Sequence, residues 1–584
     1  MKLSGIWELK KIALRNLARH KVKTILTSLA IMVSVAVYIF LNSWLGGMAI
    51  ESRRNIVNFE IGAAKLQTKL YYERKDEMPS YENFLGWEIY KAALESEGYV
   101  SAPRYTFTGT LFSSSGSAPI MFYGVDPASE NEVLRYAYDK ERDVSYVDFG
   151  RFVQNGKFEI ALGAIAAEKL KVGIPPRPLR QELEELILFI AENSADAEFV
   201  RSLYEVSTAA PGMWDPQDTK AHEGNERMIL KRTATKAELD RYWDMIAATT
   251  RNDVRINAVI DIKAAPELIR GDKWEGELWP ALREEDRNVV LSAYQYEDFM
   301  NAWLLSETDE ERLPLVLDAM IRAGYSGAVN HINQAFDVVV VGVINCPAPL
   351  PNGNTAFIPL DVLQDEAGMM LEGAVTELII REKGVPDTRL PGASESGKAI
   401  TAALERGLAS MGLSMPNDLG VRTWQEYMEE YLSYEAIQIG MPQVIALLLL
   451  LLSFLGISNT ILLAILERTK EIGMMRAMGM TDGQMIITYM LEAGFLGLLG
   501  SILGIIVGCI INYPVVKYGF DFSAIGDVMT DGLGFRTTAI FRSMWDFSLI
   551  IGSGIIATLL SSLVAFFPTR RAVKQPITES LRFE

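Results

Sequence analysis

The sequence predicts an α-helical membrane protein with four transmembrane helices and a large α+β extracytoplasmic domain between helices 1 and 2. Three observations carry this. Four apolar stretches approach or exceed membrane length, at 24–50, 436–466, 485–511 and 547–567. A bilayer core of about 30 Å needs roughly 20 apolar helical residues at ~1.5 Å each. Charge is segregated: mean hydropathy is +0.12 although 22% of the residues are charged. The long interval 51–435 has a different texture, alternating strand-like runs with charged amphipathic helices.

Residues 1–23 come first. Ile6, Leu9, Ala13 and Leu17 recur at helical spacing among Lys10, Lys11, Arg15 and Arg19. This is a basic amphipathic helix of the kind that lies in the headgroup plane. Span 1 (24–50) has no formal charge and is too long for the apolar core of a cleaved signal peptide, so it reads as retained. Spans 2 (436–466) and 4 (547–567) are charge-free, and span 3 (485–511) contains one acid, Glu492. Seven basic residues against Glu8 precede span 1. Arg570, Arg571, Lys574 and Arg582 against Glu579 and Glu584 follow span 4. The positive-inside bias then puts both termini in the cytoplasm and the domain 51–435 outside.

Within that domain the strand signals fall at 64–72, 100–113, 120–123 and 159–161, and again at 337–344, 355–358 and 377–381. Between them a helical insertion is expected at about 176–330, with helices at 180–195, 236–249 and 309–323. Further helices are expected at 399–411 and 423–439, the latter feeding span 2. An extracytoplasmic loop is expected at 512–546 and a cytoplasmic tail at 568–584.

Composition excludes several functions. The net charge of −18 argues against nucleic-acid binding. Two cysteines, Cys346 and Cys509, exclude a disulfide scaffold and a cysteine zinc site, and His20, His222 and His331 form no cluster, so no metal is expected. Gly392-Ala-Ser-Glu-Ser-Gly397-Lys398 imitates a phosphate-binding loop, but Ala399 replaces the magnesium-binding hydroxyl and a turn-like stretch precedes it. No catalytic residues and no cofactor are expected; ATP would be bound by a partner subunit.

The segment 467–484 joins spans 2 and 3. Arg468, Lys470 and Arg476 meet Glu467, Glu471 and Asp482 there, and Met474, Met475, Met478 and Met480 are expected to be exposed. Methionines adapt to partner grooves, so two readings stand: a docking helix or a solvated loop. Gly497, Gly500, Gly504 and Gly508 offer a smooth face for helix packing or ordinary tolerance of glycine in a span. Glu492 is either a partnered intramembrane acid or one that snorkels to the interface. Phe40, Trp44, Leu45 and Met48 end span 1, and Ile437, Ile439 and Met441 begin span 2, as a cargo mouth or as interfacial anchors. Gly46-Gly47 would loosen the helix at such a mouth.

The run Glu467-Arg468…Glu471-Ile472-Gly473…Arg476-Ala477…Gly479 resembles the signature of the FtsX-like/MacB-like permeases, the type VII ABC transporters. The resemblance continues through Glu492 and the span-3 glycines, Phe567-Pro568-Thr569-Arg570-Arg571-Ala572, and Pro576 to Arg582. Ser101-Ala-Pro-Arg104 and Gly124-Val-Asp-Pro127 are most similar to the lipoprotein-releasing system permeases. The resemblance implies a permease that couples to a cytoplasmic ABC ATPase dimer through Glu467, Arg468, Glu471, Ile472, Gly473, Arg476, Ala477 and Gly479. It also implies a second permease copy or related permease, contact with membrane lipids, mechanotransmission to the periplasmic domain, and a lipoprotein or periplasmic protein as cargo. Rival readings are an efflux permease with a periplasmic adaptor and a regulatory scaffold for cell-wall hydrolases.

Overall fold

The computed structural model describes residues 13, 21–134, 145–207, 226–231, 233–263, 329–366, 373–385, 389–467, 469–521 and 540–574. The N-terminal amphipathic helix (Ala13 apart), the helix expected at 309–323 and the motif beginning at Pro576 lie outside them. Two compact units emerge, one of residues 1–52, 428–523 and 539–584, the other of 53–427 and 524–538.

Among its described residues the first unit has the helices α1 (Lys21–Ile56), α2 (Glu429–Glu467), α3 (Thr469–Ala477), α4 (Asp482–Tyr518) and α5 (Phe547–Val573). Each long helix overruns its expected span. The apolar stretch sets only the part that lipid demands, and polar turns on either side continue the same hydrogen-bond ladder. Among the described residues three helices are long and apolar enough to cross a membrane, 24–61, 482–518 and 547–573. The core between α1, α4 and α5 holds Ile31, Val35, Ile39, Ile550 and Ala557. Outward-facing residues stay exposed and apolar, Ile510 at 65% and Leu559 at 64%. That pattern suits lipid as the solvent.

The second unit is a mixed sheet with helices packed on it. Its main strands are β1 (Ala64–Thr68), β2 (Tyr99–Ser113), β3 (Gly116–Val125), β4 (Val147–Gly150) and β5 (Glu159–Gly163). A separate hairpin is β6 (Tyr204–Val206) and β7 (Met228–Leu230). The main sheet resumes with β8 (Asp253–Lys263), β9 (Val329–Ile344), β10 (Thr355–Pro359), β11 (Glu377–Glu382) and β12 (Leu419–Thr423). The path runs β12-β1-β11-β2-β3-β10-β5-β9-β4, and β8 pairs with both β2 and β9. Those pairings close β2, β3, β10, β5, β9 and β8 into a ring, so none of these six is an edge strand, and the path ends at β12 and β4. Only β10–β3 and β5–β9 are parallel within it.

Period-two alternation feeds two separate cores. Ala356, Ile358, Leu378, Ile380, Ile160 and Leu162 enter one. Their neighbours Phe357, Ile379 and Ala161 enter the other with Phe59 and Tyr123. These strands therefore read as continuous apolar runs because both faces are covered.

Several expectations need correction. The strand expected at 64–72 ends at Thr68, whose hydroxyl accepts the Tyr71 amide (3.1 Å) and starts the helix Lys69–Glu73. The helix expected at 180–195 is two helices, Arg180–Ile190 and Ser194–Ser202, the second capped by Asn193. The insertion expected to be helical over 176–330 contains β8, an 11-residue strand of the main ring. Val254, Ile256 and Ala258 alternate inward there, a period-two signal that stands in the sequence beside stronger helical ones. The helix expected at 423–439 is two helices, Trp424–Tyr427 and the start of α2 at Glu429, with a turn at Met428 between them and Thr423 ending β12.

The two motifs Ser101–Arg104 and Gly124–Pro127 meet across β2 and β3, with Arg104 opposite Val125. Asp126 caps the helix Pro127–Val133, and Glu130 from that helix receives Arg104 Nε at 2.7 Å and Nη2 at 2.5 Å. Lys65 Nζ reaches Glu377 Oε2 at 2.6 Å nearby. Arg104 also lies over the Tyr123 ring, 4.4 Å from its centroid. Both Arg104 and Glu130 are buried. A pair so deep offers little net stability over an apolar filling, but removing one member strands the other. The imitation phosphate loop is filled by the protein itself. Ser394 Oγ donates to Glu382 (2.6 Å), Tyr99 OH donates to the Ser394 carbonyl (2.6 Å) and Glu395 accepts the Glu382 amide (3.1 Å).

Candidate coupling and packing sites

The segment after α2 forms a short helix, α3, rather than a plain turn. Glu471 sits in its first turn and Arg476 in its last, matching the helix dipole. Its end is fully specified. The Gly479 amide donates to the Arg476 carbonyl (3.0 Å) and the Met480 amide to the Met475 carbonyl (3.1 Å). Gly479, at φ +98°, takes the left-handed geometry this Schellman turn requires. Thr481 and Gln484 then exchange backbone and side-chain bonds in a capping box that starts α4. Arg476 Nε reaches Asp482 Oδ1 at 3.2 Å across the turn.

The two faces of α3 differ. Ile472 is buried with Met485 and Tyr489 of α4 and Ala572 and Val573 of α5, and Met475 and Met480 pack against that cluster. Glu471, Met474 (48% exposed) and Met478 (80% exposed) form the outer stripe, spaced i, i+3, i+7. The expectation of four exposed methionines is thus corrected: two anchor the helix and two face outward. Of the remaining signature residues, Gly473 is buried, Arg476 is half-buried, and Glu467, Ala477 and Gly479 are exposed. Arg468 lies outside the described residues.

The glycines of α4 sit where neighbouring helices come closest. A Cβ on Gly500 would stand 2.7 Å from Ile31 Cβ, and one on Gly504 2.8 Å from both the Met32 carbonyl oxygen and Val35 Cβ. At Gly508 the nearest atom is Ala36 Cα, at 3.3 Å. Gly497 instead faces α5, with Ser561 Cβ at 2.7 Å. The i, i+4, i+8 stripe therefore seats α1, and the glycine one turn earlier seats α5. Ser562 Oγ ties α5 to the Met490 carbonyl of α4 at 3.0 Å. Glu492 is half-buried on α4.

The residues expected to form a mouth are split. Phe40 and Trp44 of α1 pack edge-to-face on Phe520, centroids 6.3 and 6.1 Å apart. Leu45 and Met48 are half-buried. On α2, Ile437 (62%), Met441 (64%) and Val444 (57%) are exposed, and the side chain of Ile439 lies outside the described set. The two helices touch where Ser52 Oγ and Tyr431 OH lie 2.5 Å apart. Gly46-Gly47 does not loosen α1, which runs unbroken through both. A Cβ on Gly47 would stand 2.2 Å from the Arg542 carbonyl oxygen, so the pair makes room for the chain at 542–544. That chain is held by the Met544 amide on the Ser43 carbonyl (3.1 Å) and by buried Asn512, which donates to the Met544 carbonyl (3.1 Å) and accepts from Ser543 (2.5 Å). Sequence reading missed this clamp; a lone Asn512 inside an apolar run was the available signal.

Residues 443–577 match the model of the FtsX-like permease C-terminal domain. An ABC transporter permease of Methanocaldococcus jannaschii is 31% identical over 140 residues, 24% of this chain and 32% of that protein. The macrolide export ATP-binding/permease protein MacB of Vibrio parahaemolyticus is 30% identical over 137 residues, 24% of this chain and 18% of its own. The lipoprotein-releasing system transmembrane protein LolC of Neisseria meningitidis is 21% identical over 164 residues, 28% of this chain and 40% of its own. The match spans about a third of the M. jannaschii permease and less of MacB. Its long apolar helices make the chain a multi-pass membrane protein, and its C-terminal part is similar to the FtsX-like permease domain and to ABC transporter permeases, MacB and LolC among them.

Proposed function

We propose that the chain is the transmembrane subunit of an ABC transporter, with four spans and both termini in the cytoplasm of a bacterial inner membrane. It transmits ATPase-driven movement to the domain 53–427 and releases lipoproteins or similar lipidated cargo from the membrane. The observation that carries the coupling role is α3: its buried face is keyed into α4 and α5, and its outer face offers Glu471, Met474 and Met478. An ATPase dimer bound there would push on both helices at once. A second permease copy completes the machine. The cargo reading rests on the resemblance of Ser101–Arg104 and Gly124–Pro127 to lipoprotein-releasing permeases and on the exposed apolar start of α2. A mechanotransmitting efflux permease with a periplasmic adaptor is the second reading, favoured by the MacB likeness of the C-terminal domain.

The decisive experiment purifies the intact membrane complex and identifies the chains that accompany it. Photo-crosslinking from Trp44 and Ile439, with and without ATP, then tests the cargo. Crosslinks to lipoproteins that respond to ATP support release. Crosslinks equal to those from exposed Ile551 on α5, or a co-purifying adaptor with no lipoprotein, overturn it. Cysteine labelling at Ser115 and Ser207 from outside and at Ser580 from inside tests the topology; external labelling at Ser580 ends it.

A further inference from the structure

A cavity of about 450 Å³ lies in the second unit, between the turn Lys171–Leu179, the helix Arg180–Ile190, Arg227 and Arg251. Its size is that of a small-ligand site. Its walls are half apolar, with Val172, Leu179, Leu186 and Phe189, and Phe189 is 56% exposed at the rim. Four cations and three carboxylates line it, a surplus of one positive charge.

The cations are not equivalent. Lys171 Nζ is bonded to Glu182 Oε1 at 2.6 Å, and Arg227 donates to the Arg177 carbonyl at 3.3 Å. The Arg251 guanidinium makes no hydrogen bond or ion pair among the described residues, and its Nε is buried without an acceptor. Its backbone is fixed where the short 3-10 turn Thr250–Asn252 enters β8, with the Arg251 amide on Thr249 Oγ1 (3.2 Å) and the neighbouring Asn252 side chain accepting the Gly173 amide (3.0 Å). The carboxylate closest in charge, Glu182, is already taken by Lys171 and by the Leu179 amide (3.0 Å). Burial pushes the Arg251 guanidinium below its ordinary range, the mark of a charge short of partners. Natural proteins rarely leave a buried donor unmet, and a guanidinium matches a carboxylate with paired bonds.

We infer that this cavity binds an organic carboxylate carried on an apolar chain, with Arg251 taking the carboxylate and the Leu186–Phe189 wall taking the chain. The surplus of a single positive charge and the flanking glutamates favour a monoanion over a phosphate dianion. Two sources share this chemistry, the C-terminus of a polypeptide and a fatty acid. The test uses the purified full-length protein and titration calorimetry with N-acetyl-Leu-Phe and with octanoate, each against its amide. At least one acid should bind, its amide far more weakly, and Arg251→Gln should weaken the acid roughly ten- to hundredfold. Arg255→Gln, on an exposed arginine of β8, should bind as the parent does. Thermal unfolding checks that both variants are folded, and Arg251→Lys should retain part of the affinity. Tighter binding of the peptide or of octanoate identifies the source. Failure of both acids to bind, equal affinity of acid and amide, undiminished binding by folded Arg251→Gln, or displacement of the acid by inorganic phosphate as readily as by octanoate overturns the inference.

Discussion

Gly504→Ala is the sharpest test of how the membrane unit is held together. The new Cβ stands 2.8 Å from the Met32 carbonyl oxygen and 2.8 Å from Val35 Cβ. Carbon atoms rest at about 3.5–4.0 Å, so α1 and α4 must part by about 1 Å locally. Val35 is fully buried and belongs to the core with Ile31 and Ile39, so the shift spreads along the seam. Overpacking of this kind costs about 1–3 kcal/mol. Alanine's better helix propensity returns about 1 kcal/mol, leaving a net loss of up to about 2 kcal/mol. Gly552→Ala on α5 gains the same propensity and meets nothing within 4 Å, so it should be neutral or stabilising. Thermal unfolding of the detergent-solubilised protein, followed by size-exclusion recovery, compares the two. A Gly504→Ala protein that melts at or above both the parent and Gly552→Ala would show that α1 and α4 do not pack through this face.

Other outcomes follow from the same contacts. Glu471→Lys should abolish stimulation of the proposed ATPase partner with little change in melting, because the side chain is exposed; a normal ATPase rate refutes the docking face. Arg104→Met should cost about 3–5 kcal/mol by stranding buried Glu130, and Arg104→Met with Glu130→Leu should recover much of that; chemical denaturation of the protein decides. Gly47→Ala should detach the segment 542–544 and raise protease cutting there, since its Cβ would stand 2.2 Å from the Arg542 carbonyl oxygen. Burial raises the Glu182 carboxyl, but the Lys171 and Leu179 bonds outweigh it and hold the group below its ordinary value of 4.5. Its stabilising effect is therefore present above about pH 4.5 and fades as pH falls. The stability gap between parent and Glu182→Gln should close in acid, and a gap independent of pH refutes the pairing.

The long apolar runs fixed span-length helices wherever they occur, because a helix satisfies its backbone internally and lipid accepts any apolar side chain. The segments at 24–50, 485–511 and 547–567 each lie within a long helix for that reason. Strands with covered faces were also legible at 100–113, 355–358 and 377–381, where β-rich runs meet turn residues. What the sequence could not decide is everything set by partners distant in the chain. Which two methionines of the segment 467–484 turn inward depends on Tyr489 and Val573. Whether Gly46-Gly47 loosens or seats a helix depends on a carbonyl nearly 500 residues away. Whether β8 belongs to an insertion or to the main ring depends on its pairing with β2 and β9, and local propensity holds no information about that. Arg104 and Glu130 are brought together and buried only by the fold. Arg251 became notable only in the folded chain, where no acceptor for its Nε lies among the described residues. In each case the physical reason is the same: hydrogen-bond and packing partners are chosen in space, and single-sequence periodicity reports only what each element would do alone.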